Sequence, residues 1–435
     1  MKQVEARHHN TLYLLAALAM IFMTLALALQ PLYLRKVLGL ARENAGFVNA
    51  NIQVITELVD LLSVGYLGYL SDRRGRIPVV YYGFILAGFS ALLLPFSLEL
   101  GVVTGLGGLT FVYLFRSSMS LGTTAVWPQI ATLAGDFADG DPAASGHDSE
   151  QAFRLRPRLL AKAGFMMAFG ATLVYAVLMQ IPQQAGVVPA MLMMAAIALA
   201  GAWLARRFLV DVAPRVTSNR IPLRAIVQLI RQEKSLQLSF FSAFTSRNDM
   251  VIIGLFLMTW AVYFADVLGL NHFQAAAQAG VVIGFIGLMV LLTVNVWGEL
   301  IVRLGRVPAM VLGLALSGVG FAGMGLIVNP LSGWVFLPAF LVGVGQAGCL
   351  LAPQVVAMDL APLAMRGSVL GVFNTVGCLG IIFFLQVGGL LFDWLGPSAP
   401  FVFTGVANFV IMFYGLFILK ARSGHCSREP LLDRE

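Results

Sequence analysis

Apolar stretches long enough to cross a lipid bilayer recur along the whole chain, and no other feature constrains the fold as tightly. Crossing about 30 Å of hydrocarbon at about 1.5 Å per residue takes roughly 20 residues in helical form. Such stretches fall at about 12–34, 47–70, 78–98, 102–133, 159–181, 189–209, 238–265, 276–302, 307–328, 331–358, 368–391 and 400–420. Backbone amides in hydrocarbon need partners within their own segment, so each stretch is expected as an α-helix. The expected fold is an all-α membrane protein with twelve transmembrane helices. Composition agrees: 59% of the 435 residues are hydrophobic and only 11% charged, against about 25% charged in soluble domains. Residues 1–10 form a short polar head without a small-residue cleavage pattern, so the first stretch is expected to stay as a helix.

The basic residues sort to one side of this arrangement. With both termini on the same side, Arg35, Lys36 and Arg42 fall opposite, and Arg116 and Arg247 fall inside spans. All the remaining Lys and Arg lie together, among them Arg73, Arg74, Arg76, the run 206–234 and the tail from Lys420. The positive-inside rule makes that side cytoplasmic. The acidic and then basic segment 135–158, which holds Asp136, reads as a solvated linker. Residues 210–237 carry Pro214 and Pro222 and read as a cytoplasmic linker, with anionic headgroups as an alternative resting place. The expected organisation is a six-helix bundle over 1–209, this linker, and a second six-helix bundle over 238–435 with a short tail.

An internal repeat supports two related halves. Gly68-Tyr-Leu-Ser-Asp72-Arg73-Arg-Gly75-Arg76-Ile-Pro78 ends the second stretch, and Gly298-Glu-Leu-Ile-Val302-Arg303-Leu-Gly305-Arg306-Val-Pro308 ends the eighth, at a constant offset of 230. Pro128-Gln129 and Pro353-Gln354 echo each other at an offset of 225. Two parallel repeats with a site between them near the midplane form a transporter architecture. Gly68 is expected to allow close helix contact and Gly75 a tight turn. Asp72 can pair or cap at a helix end, with Arg73, Arg76, Arg303, Gly305 and Arg306 completing a gate. Val302 replaces the carboxylate in the second copy.

The Gly-x-x-x-Asp-Arg-x-Gly-Arg loop resembles the signature of the major facilitator superfamily, and the second copy resembles that family's C-terminal pseudo-repeat. Arg116-Ser-Ser-Met-Ser120-Leu-Gly122 is similar to the family's fourth-helix motif, with Ser120 where Gly is usual, and Arg366-Gly367-Ser368 also resembles the family. The resemblance implies a rocker-switch secondary transporter. The proline-and-glycine pattern of drug antiporters is missing from 163–181. The segment Asn44-Ala-Gly-Phe-Val-Asn-Ala-Asn51 through Thr56-Glu57-Leu-Val-Asp60 resembles bacterial permeases of magnetosome membranes, which implies iron as substrate.

Five ionisable side chains stand near mid-span: Glu57, Asp60, Arg116, Arg247 and Asp249. Each costs about 2.5–3.5 kcal/mol on insertion scales and is expected to serve substrate or proton binding. Asn49, Gln53, Glu57 and Asp60 form one polar stripe, and Arg116, Ser120, Thr123 and Trp127 another. Arg247 and Asp249 are two apart and point to nearly opposite sides. Three carboxylates face two guanidiniums, so one acid is left to carry a proton for part of the time, which is what proton coupling needs. Static interhelical pairing is the alternative.

These residues point to a secondary carrier, proton-coupled, of a small solute, and the resemblance to magnetosome permeases implies iron or another metal cation. An organic-anion or drug-type carrier, or a scaffold that no longer cycles, are the alternatives. A channel would need rings of like residues that a two-half repeat does not supply. No nucleotide loop, nucleophile motif or cofactor signature argues for an enzyme, and Cys349, Cys378 and Cys426 lack ligand spacing. Arg outnumbers Lys, as in GC-rich bacteria, so the expected home is a bacterial inner membrane or a compartment derived from it. The expected partners are lipid and solute, without nucleic acid, and the expected state is monomeric. Reporter fusions after Arg76, Pro214 and Lys420 should read as cytoplasmic, and fusions within 35–42 or 266–273 as external; two reversed reporters would overturn the topology.

Overall fold

The computed structural model describes residues 5–139, 149–211, 223–247, 249–361 and 366–426. Among them, twelve long helices run in chain order: α1 (Ala6–Lys36), α2 (Ala45–Arg74), α3 (Arg76–Leu93), α4 (Gly108–Asp139), α5 (Ser149–Ala176), α6 (Val187–Phe208), α7 (Lys234–Leu268), α8 (His272–Leu304), α9 (Arg306–Met324), α10 (Phe336–Leu360), α11 (Arg366–Leu395) and α12 (Ala399–Cys426). Eleven of these regions are long and apolar enough to span a membrane. The exception is α4, in which Arg116, Ser117, Ser118, Ser120, Thr123 and Thr124 lower the hydropathy. The multi-pass, all-helical fold expected from the apolar pattern is present.

Two compact units make up the chain: Met1–Asn219 with Gly254–Gly287, and Arg220–Ile253 with Leu288–Glu435. In the first unit glycines allow backbones to touch. A Cβ at Gly122 of α4 would meet the Gly83 carbonyl oxygen at 2.6 Å and the Ala87 nitrogen at 2.7 Å, so α3 and α4 cross at contact distance. Gly280, Gly284 and Gly287 line one edge of α8 and lie against α5, where a Cβ would come within 2.8 Å of the Tyr175 carbonyl, 2.9 Å of the Ala176 nitrogen and 2.9 Å of the Thr172 hydroxyl. This row draws the first half of α8 into the first unit.

In the second unit, α9 packs on α10 and α12, and the first part of α7 packs on α10 and α11. Leu238, Trp297, Met310, Leu314, Ala352 and Ile418 fill its core. The faces of α12 are segregated. Val402, Val406, Val410, Phe413 and Phe417 form an exposed apolar stripe fit for lipid, while Thr404 and Asn408 are fully buried. Helix α7 is α-helical over Lys234–Ser246 and Asp249–Ile252 and passes through a π turn at Ile253–Leu257. The expected linker also holds a short helix, Leu223–Gln232, whose Ile226 is buried beside Leu236, Phe240 and Ala357.

Gly68 departs from expectation. A Cβ there would meet nothing within 4 Å, so it is not a point of close helix contact in this structure. Gly122→Val should therefore lower stability by about 2–3 kcal/mol, whereas Gly68→Ala should leave it unchanged or slightly raise it. Thermal unfolding of the two purified variants distinguishes the sites.

Candidate functional site

The polar stripe of α2 meets α1 and α4 in the first unit, and the meeting is organised around one guanidinium. Arg116 is only 6% exposed. Its Nε donates to Gln30 Oε1 at 3.2 Å and its Nη2 to Gln53 Oε1 at 2.9 Å. Gln30 in turn donates through Nε2 to the Asn49 carbonyl and side-chain oxygens, at 2.9 and 3.1 Å. Asn49 Nδ2 is fixed on the Ala45 carbonyl at 2.8 Å. Gln53 Nε2 reaches Glu57 Oε1 at 3.2 Å. The charge thus rests in a frame of amides, and Glu57 is linked to it through Gln53.

Asp60 is held differently. Its Oδ1 accepts from the hydroxyls of Ser120 and Thr124 on α4, and Ser120 Oγ also lies 3.0 Å from the Thr56 carbonyl. No ion pair to Asp60 forms among the described residues. The Ser120 that departs from the family motif is thus a ligand of this carboxylate. The expected α4 stripe needs one change of register: Thr124 reaches Asp60, while Thr123 turns its hydroxyl to the Ser120 carbonyl at 2.9 Å and Trp127 is 39% exposed.

In the second unit Arg247 and Asp249 part company. Arg247 Nη1 donates to Asn374 Oδ1 at 2.5 Å on α11. Asp249 is fully buried, and its Oδ2 accepts from Ser317 Oγ of α9 at 3.2 Å. The two residues therefore do not share a partner.

The loop motifs show the same pairing in each unit. Gly75 and Gly305 sit at φ of +101° and +88°, a conformation glycine adopts without strain. Arg76 Nε pairs with Asp136 Oδ2 at 3.2 Å near the end of α4, and Arg306 Nη2 pairs with Asp359 Oδ2 at 2.8 Å near the end of α10. Asp136 is consequently not part of a solvated linker: its side chain is 13% exposed and bound to Arg76. Asp211 Oδ1 accepts the backbone N–H of Arg76 at 2.9 Å and of Ile77 at 3.3 Å, capping α3 from beyond the end of α6. Arg73 lies over the Tyr69 ring at 5.0 Å, and Arg303 pairs with Glu299 at 2.8 Å. The Asp72 side chain and those of Arg366 and Ser368 lie outside the described residues.

Sequence reasoning misses Gln30 and Asp211. Gln30 is detectable as an amide inside an apolar run, beside Pro31. Asp211 gives no local signal, because its partners are 134 and 135 residues away. Gln30→Leu should cost about 1–3 kcal/mol, since it strands a buried donor of Arg116. Combined with Gln53→Leu it should be non-additive, because both amides serve one guanidinium; a double-mutant cycle of unfolding measurements checks this.

A family model described as Major Facilitator Superfamily matches residues 12–385. "Magnetosome protein MamH" of Paramagnetospirillum magneticum is 51% identical over 424 residues, covering 97% of this chain and 95% of the relative. "Magnetosome protein MamZ" of Magnetospirillum gryphiswaldense is 36% identical over 414 residues, and the match spans 94% of this chain but 62% of that longer relative. Among solved structures, a point mutant of the nucleoside transporter NupG superposes with a TM-score of 0.73 at 13% identity, covering 94% of this chain and 98% of that one. A D-xylose–proton symporter gives 0.70 at 15%, covering 94% and 96%. At such identities these two speak for the fold alone. With the family model matched across most of the chain, twelve helices in place and two copies of the loop pairing, the protein belongs to the major facilitator superfamily of transporters.

Proposed function

We propose that the protein is a proton-coupled, alternating-access carrier of a hard metal cation, with iron the leading candidate. The observation that carries the coupling step is the separation of Asp60 from Arg116. Arg116 is engaged by Gln30 and Gln53, while Asp60 is held by two hydroxyls and no cation among the described residues. A carboxylate in that setting can exchange a proton without breaking an ion pair. Ser120 and Thr124 can donate to its ionised form or turn to accept from its protonated form.

Glu57 and Asp60, with Gln53, Ser120 and Thr124 beside them, offer oxygen ligands of the kind hard cations take. Among the described residues no group of three or more His, Cys, Asp or Glu gathers, which favours a weak transit site over a storage site. The magnetosome relatives support placing the chain in a magnetosome-type membrane derived from the inner membrane, with the Asp72, Arg73, Arg76, Arg303 and Arg306 loops as gates.

Asp60→Asn, reconstituted in proteoliposomes, should lose accumulation of labelled ferrous iron driven by a pH gradient while keeping downhill exchange. Glu57→Gln should weaken both modes, because it alters the amide frame through Gln53. Accumulation at near wild-type rates in both variants would remove the proton-coupling reading and leave facilitated diffusion.

A further inference from the structure

The second unit buries a polar cluster that the proton step at Asp60 does not use. It draws on α7, α9 and α12. Asp249 and Asn408 are both fully buried and both bonded to Ser317 Oγ: Asp249 Oδ2 accepts from it, and Asn408 Nδ2 donates to it, each at 3.2 Å. What distinguishes the cluster is unspent hydrogen-bonding capacity. Asp249 Oδ1, Asn408 Oδ1 and Ser246 Oγ are all buried without a partner among the described residues. Each such atom costs about 1–3 kcal/mol, and more for a charged group, so Asp249 Oδ1 and Asn408 Oδ1, whose side chains share Ser317 Oγ, call for a ligand.

The chemistry of the cluster narrows the ligand. The unspent atoms are oxygens, two of them carbonyl- or carboxylate-type acceptors, so the ligand must be electron-poor. No basic side chain answers Asp249 among the described residues: Arg247, two residues away, is turned to Asn374 at 2.5 Å, with its Cδ against Gly377. A proton on Asp249 would neutralise the charge and let that oxygen donate to one further acceptor. A metal ion satisfies several oxygens at once. With one carboxylate among neutral amides and hydroxyls, a monovalent ion leaves the buried site neutral, whereas a divalent ion leaves it charged in a low-dielectric interior. Oxygen ligands select a hard ion.

We propose that Asp249, Asn408, Ser317 and Ser246 bind a dehydrated sodium ion within the second unit. The proposal is independent of the proton step assigned to Asp60, and its test requires no transport. The full-length protein, purified in detergent in choline chloride, is titrated with sodium chloride at constant ionic strength. Thermal unfolding and equilibrium binding of radiosodium are recorded. The wild type should show a saturable rise in Tm with sodium and saturable radiosodium binding, with no response to choline. Asp249→Asn should abolish both. Asn408→Ala keeps the carboxylate and should weaken sodium binding by about tenfold (~1.4 kcal/mol) with an unchanged gel-filtration profile; this variant decides the matter if Asp249→Asn does not fold. The proposal is overturned by equal responses to sodium and choline, by wild-type affinity in Asn408→Ala, or by stabilisation that follows acid alone and ignores sodium, which would make the pocket a proton site only.

Discussion

Placing the Arg116 guanidinium at bilayer depth is the constraint around which the first unit is arranged. An arginine there cannot shed its charge and cannot be left without acceptors. The acceptors come from two other helices, Gln30 on α1 and Gln53 on α2, so the three helices must meet at this level. Gln30 is itself held by Asn49, and Asn49 by the carbonyl one turn before it. Each link fixes the next, and the chain of amides ends at Glu57. Because amides rather than carboxylates receive the charge, Asp60 is left to the α4 hydroxyls. The proposed coupling chemistry follows from that allocation.

The two units repeat one device and vary another. Arg76–Asp136 and Arg306–Asp359 join corresponding loop arginines to the ends of corresponding helices. Both follow turns that a glycine with positive φ makes possible. Farther into the membrane the likeness ends. The first unit surrounds an arginine with acceptors; the second buries an aspartate and sends its neighbouring arginine elsewhere. A pseudo-symmetric scaffold can keep its loop pairings alike while its interiors diverge, because the loops join helix ends and the interiors lie between them.

The readable part of this molecule is its periodic part. Apolar run length yields the helices, the 230-residue offset yields the paired loops, and the i, i+4 spacing yields the α2 stripe that meets Arg116. What escapes depends on long-range placement. Asp136 and Asp211 look like solvated loop residues until the fold brings them to Arg76, across 60 and 135 positions. Thr124 instead of Thr123 reaches Asp60, a rotation of about 100° that no stripe assignment resolves when two threonines are adjacent. Gly68 reads as a contact because small residues in spans usually are; its open surroundings show that a glycine motif does not name its partner.

The contrast in polar satisfaction between the units bears on what each can do. In the first, nearly every polar group of the Arg116 frame has a protein partner, so the frame acts as fixed architecture. In the second, the groups around Asp249 are buried and incompletely paired, which is costly in a protein that never binds anything there. Unspent acceptors are tolerable when a ligand completes them during part of a cycle. A site that is unsatisfied without its ligand couples binding to conformation; a fully satisfied site would bind without needing to change anything.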